Sequence, residues 1–146
     1  MPRFFTLLEA EGLLPQIQRY LKRLSDARER HQDADRGITA IHHRIAIAGG
    51  MIPPRNQLLE WKTQKEAAAR ALKETLDAFQ ETGCQLKDLD LGLVDFPTLY
   101  RGREVYLCWK LGEPDIAYWH QVEDGYPGRR PIDSEFLSNH RGDEKH

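Results

Sequence analysis

The sequence predicts an α+β fold: a long antiparallel helical hairpin, coiled-coil-like, followed by a small three-stranded antiparallel β-meander. Three observations carry this reading. Apolar or small residues recur at Ile17, Tyr20, Leu24, Ala27, His31, Ala34, Ile38, Ile41, Ile45 and Ala48. Their steps alternate between three and four, the period of a helical seam. A second stripe follows at Leu58, Trp61, Ala68, Ala69, Leu72, Leu76 and Phe79. Beyond residue 85 the apolar period changes to two and turn residues break the chain at short intervals, the pattern of short strands.

The elements follow in order. Thr6-Leu7-Leu8-Glu9 fits a capping box, with the Thr hydroxyl and the Glu carboxylate each serving a free amide. Gly12 and Pro15 then predict a short first helix and a fresh start near Leu13, with Pro15 in the first turn. From there a long helix runs to about Ala48. Gly49-Gly50 ends it and Pro53-Pro54 forbids helix across the gap. The second helix spans about Arg55 to Thr82, with Gly83 placed for a left-handed cap. Folding about residue 52 sets Ala27, His31 and Ala34 opposite the small residues of 66–71. It leaves an apolar overhang at Leu13, Leu14, Ile17, Tyr20 and Leu21, which the β region should roof.

The expected strands are Leu89–Leu93, ended by Pro97; Arg103–Trp109, after an Arg101-Gly102 turn; and Asp115–Gln121, after Gly112-Glu113-Pro114. A four-residue turn at Leu111–Pro114 would pair Trp109 with Ile116, Leu107 with Tyr118 and Val105 with His120 on an apolar face. The other face would pair Lys110 with Asp115, Cys108 with Ala117 and Tyr106 with Trp119. The organisation is a single domain over 1–133: hairpin 6–83, meander 86–123, Gly/Pro loop 124–133. Residues 134–146 have no apolar period and are expected to form a disordered tail.

The chain has 146 residues with a net charge of −2 and 30% charged residues. Neither nucleic acid nor an anionic membrane is favoured by that balance. Glu9 and Glu11 interrupt the N-terminal apolar stretch, and no run approaches a membrane span. Cys84 and Cys108 do not make a disulfide framework, so a cytoplasmic protein is expected. Ile41, Leu59 and Leu76 widen the apolar stripe beyond one seam, which predicts a homodimer burying them in a four-helix arrangement.

GLVDFP (92–97), LCWKLGEP (107–114), YWH (118–120) and GYPGR (125–129) resemble the bacterial domain-of-unknown-function family 2203. FFTLLEAEGLLPQI (4–17) and GCQLKD (83–88) share the likeness, which reaches about Ile132. The resemblance implies a helical hairpin followed by a small β region. It carries no activity, cofactor or catalytic residue.

The chemistry concentrates in residues 107–120, most of which packing explains. His120 is the exception, at the end of the apolar face. With Asp95, Glu123, Glu113 or Cys108 it could hold a divalent metal, since imidazole, carboxylate and thiolate are transition-metal donors. The expected faces separate Cys108 from His120, which leaves Asp95, His120 and Glu123 as the metal set. Asp95 and His120 are also the candidates for acid–base catalysis, although no activated nucleophile accompanies them. Glu113 and Arg129 are candidate ligand-binding residues, Arg129 standing in a Gly-rich loop that offers amides and a guanidinium. Two functions follow. The first is an interaction or scaffold protein that self-associates through its hairpin and offers its β end to a protein partner. The alternative is a metal- or small-ligand-binding protein with a polar site at the β end.

Overall fold

The computed structural model describes residues 3–49 and 54–143. The expected chain stop at Gly50 and Pro53 lies outside them, as do the last residues of the expected tail. A long helix α1 (Leu7–Ala48) packs on α2 (Arg55–Glu81), followed by strands β1 (Gln85–Asp88), β2 (Leu93–Tyr100), β3 (Arg103–Lys110), β4 (Tyr118–Gln121) and β5 (Arg130–Pro131), helix α3 (Ser134–Asn139) and strand β6 (His140–Arg141). The chain forms two compact units, Lys22–Asp77 and Met1–Leu21 with Ala78–His146.

The Lys22–Asp77 unit is the arm of the hairpin. Its seam buries Leu24, Ala27, Ala34 and Ile41 from α1 and Ala68 from α2. The Trp61 indole fills the space left by the missing side chain of Gly37, where a Cβ would lie 2.3 Å from the ring. Lys65 pairs with Asp35 at 2.6 Å. Both contacts centre the hairpin two to three residues before the expected fold at residue 52. The indole needs a gap in the facing helix, and Gly37 of α1 supplies it.

In the other unit, the capping box forms as its residues require. The Glu9 amide donates to Thr6 Oγ1 at 3.1 Å and the Thr6 amide to Glu9 Oε1 at 3.0 Å. The expected break at Gly12 and Pro15 does not occur, and Pro15 lies inside α1. Proline there removes one helix hydrogen bond and opposes continuation. Ala10, Leu14, Ile17 and Leu21 are nevertheless all buried in one core cluster. Tertiary packing of that stripe overrides local preference.

Among the described residues the sheet has six strands, in the order β1-β2-β3-β4-β5, with β6 pairing the end of β2. The expected meander corresponds to β2, β3 and β4. Residues Leu89–Leu91, expected in a strand, form the turn from β1 into β2. Pro97 does not end β2 but sits within it. Its carbonyl accepts from the Phe5 amide at 2.7 Å, so its missing N–H faces that same side, between the stretches paired with β1 and β6. The β2–β3 ladder loses nothing. Val94, Phe96, Val105, Leu107, Trp109 and Trp119 form one sheet face and join the α1 stripe and Phe79 in the core.

The β3–β4 register differs from expectation by one residue: Tyr106 pairs with His120, Leu107 with Trp119 and Cys108 with Tyr118. The connection is the longer stretch 111–117, and Glu113 shapes it. The Glu113 amide donates to the Lys110 carbonyl at 3.0 Å, and the Glu113 carboxylate accepts the Lys110 amide at 2.7 Å. The Glu113 carbonyl accepts Trp109 Nε1 at 3.0 Å. A slip of one residue moves every side chain of a strand to the opposite face. His120 therefore leaves the helix side and joins the face that carries Cys108.

The tail is structured as far as Asp143. Asp133 caps α3, its Oδ1 accepting from the Phe136 amide at 2.8 Å. Phe136 is buried, stacked on Tyr100 with 4.9 Å between ring centroids. His140 Nε2 accepts the Leu7 amide at 3.0 Å, tying β6 to the start of α1.

Candidate metal centre

The second face of the sheet brings Asp95, Cys108 and His120 together. Asp95 of β2 stands directly opposite Cys108 of β3, and His120 of β4 lies on the diagonal, two residues beyond the partner of Cys108. Diagonal neighbours on a sheet face are within reach of long side chains. All three are buried, with Asp95 and His120 each 2% exposed. One donor atom from each lies within 4.8 Å of the other two. Lys87, Leu93, Tyr106, Val122, Gly125 and Tyr126 stand around Asp95 and His120 on this face.

The imidazole is held at both nitrogens. Nδ1 lies 2.7 Å from the Gln121 carbonyl, an acceptor, so Nδ1 carries a proton. Nε2 lies 3.1 Å from both Asp95 oxygens. A cation must therefore sit between Nε2 and the carboxylate, as a proton on an imidazolium or as a metal ion. Burial works against the imidazolium, but the hydrogen bonds to Asp95 and to the Gln121 carbonyl outweigh it and raise the His120 pKa. Burial first, and then the Asp95 charge, push the Cys108 thiol up to about 12. Without a metal, Cys108 is a protonated thiol at neutral pH and a poor nucleophile. Asp95 and His120, the acid–base candidates of the sequence, are thus in direct hydrogen-bond contact.

Glu113 and Arg129 meet, but not at this trio. Arg129 Nη2 donates to Glu113 Oε2 at 2.6 Å, and the guanidinium lies over Tyr118 at 3.9 Å and Tyr126 at 4.8 Å. Its charge favours ionisation of Cys108. Glu123 is at the surface, 3.2 Å from Arg103, apart from Asp95 and His120. The residue that sequence reasoning set aside is Cys108. Strict alternation along β3 and β4 carries the signal, but only with the correct register.

A family model described as "Uncharacterized conserved protein (DUF2203)" matches residues 3–132. The chain belongs to the DUF2203 family. The match takes in all three residues of the trio as well as Glu113 and Arg129. No curated protein and no solved structure matches this DUF2203 chain. Among the described residues, no helix is long and apolar enough to cross a membrane.

Proposed function

We propose that the protein binds a divalent transition metal, with zinc the best fit to its donors, through Asp95, Cys108 and His120. The observation that carries this reading is the imidazole's placement. Nδ1 is tied to a backbone carbonyl, as in metal-ligating histidines. Nε2 is aimed at both oxygens of a buried carboxylate, with a buried thiol alongside. Zinc bonds of about 2.0–2.3 Å place neighbouring donors roughly 3.3–3.6 Å apart, so the trio needs only small adjustments. The charges balance as well. A divalent ion between ionised Asp95 and Cys108 leaves a neutral buried site, which a low-dielectric interior requires.

The self-association expected from the sequence has less to support it. Ile41 is buried, so it is not available to a second copy. Leu59 and Leu76 are exposed but stand about 25 Å apart along α2. Single exposed leucines of this kind are common on monomer surfaces.

Elemental analysis and zinc titration calorimetry of protein purified without an affinity tag test the metal site. One equivalent should bind. Cys108→Ser should weaken it by more than the roughly 10–100-fold that an outer-sphere partner costs. Binding of less than about a tenth of an equivalent, in protein shown folded by circular dichroism, would remove the reading.

A further inference from the structure

The trio supplies one donor fewer than a tetrahedral zinc site takes. Beside it lies a cavity of about 170 Å³ that opens on Asp95 and His120. Its other walls are Lys87, Leu93, Tyr106, Val122, Gly125 and Tyr126. None of these offers a carboxylate, thiol or imidazole, so a fourth ligand must come from solution.

We propose, resting on the metal reading above, that this cavity admits a small oxyanion as the fourth ligand of the metal and that Lys87 neutralises it. The volume fits that class. At about 30 Å³ for each water it has the space of roughly six waters, or of one anion of carboxylate or phosphate size. Leu93 and Val122 make part of the wall apolar, and the small volume leaves no room for a larger polar molecule. The charge also fits. A divalent ion with ionised Asp95 and Cys108 is neutral, so an anion adds a negative charge that needs a partner.

Lys87 is placed to be that partner. It is exposed, and its Nζ lies 5.1 Å from the centre of the Tyr106 ring at the cavity wall. It lines the cavity together with Asp95 and His120. Arg129 is engaged with Glu113 at 2.6 Å and Lys110 lies over the Tyr126 ring at 5.8 Å; of these cations only Lys87 lines the cavity.

Cobalt(II) reports both steps, because its visible spectrum shows a thiolate ligand and responds to a change in the remaining ligands. The full-length protein is loaded with cobalt and titrated separately with acetate and with inorganic phosphate. The thiolate band should appear at one equivalent, and at least one anion should change the spectrum saturably. Acetate alone acting would identify a carboxylate site, and phosphate alone a phosphate site. Lys87→Met, a surface change, should weaken that anion by at least about tenfold, the worth of one charged hydrogen bond. Cobalt affinity should change little. A cobalt–thiolate spectrum indifferent to both anions would overturn the proposal and leave the metal reading standing. So would a Lys87→Met protein that takes the anion as tightly as the parent. Absence of the thiolate band would remove both.

Discussion

Asp95 and His120 form a pair whose energetics depend on pH. In the metal-free protein the folded-state pKa of His120 is raised, after burial has opposed the shift and the Asp95 and Gln121 contacts have reversed it. A raised folded pKa gives stability that is fully present below the ordinary value of 6.5 and is lost as pH rises through the folded value. Cys108, pushed up to about 12, adds a second loss above its ordinary 9.0, where the unfolded thiol ionises first. Urea unfolding of metal-free protein should therefore show stability falling from pH 6 towards alkaline pH. Asp95→Asn leaves a buried cation without its counter-charge and should cost about 3–5 kcal/mol at pH 6. The variant should also lose the part of the pH dependence that begins near 6.5. Parallel profiles for parent and variant would show that the pair contributes nothing. The sequence singled out His120 as the one exception to packing and grouped Asp95 with it as a metal or acid–base partner. It missed Cys108 because a one-residue register error exchanges the faces, and register depends here on how Glu113 folds the connection.

At the scale of elements, what local chemistry dictates was legible. The capping box at Thr6 and Glu9, the seam at Ala27 and Ala34, and the Arg101-Gly102 turn with φ of 53° and 78° follow from short-range rules. What tertiary contacts dictate was not. Pro15 reads as a helix start and Pro97 as a strand end, yet the core stripe carries α1 past one and the gap beside β2 accommodates the other. The tail is the clearest case. Asp133-Ser134-Glu135-Phe136 holds a helix N-cap signal, but α3 is too short to show an apolar period. Its hold on the fold is Phe136, which is 1% exposed and touches Tyr100, Trp119 and His140. Phe136→Ala should cost about 3–5 kcal/mol, as deletion of a buried phenyl ring does. Urea unfolding followed by tryptophan fluorescence measures it, with Trp119 at 5.0 Å from the lost ring. A change within about 0.5 kcal/mol, the range of surface substitutions, would mean that the tail is not part of the cooperative unit.

Across the whole molecule, charge accounting joins the site to its surroundings. The chain carries a net charge of −2 with both signs interleaved, so no general field gathers cations. In metal-free protein the trio is neutral because two protons reside there, one on His120 Nε2 and one on Cys108. A bound zinc replaces both, since a ligating imidazole nitrogen and a ligating sulfur must be deprotonated. At pH 6 zinc binding should therefore release close to two protons, and the apparent affinity should rise about 100-fold per pH unit. Once pH passes the His120 transition only the Cys108 proton is left to displace, and the slope should ease to about tenfold per unit. Calorimetry in buffers of different ionisation enthalpy counts the protons directly. Cys108→Ser should release about one proton fewer at pH 6, since a hydroxyl does not ionise there. Zinc binding with no proton release would place the ion on groups already ionised at the surface, such as Asp or Glu, and not on this trio.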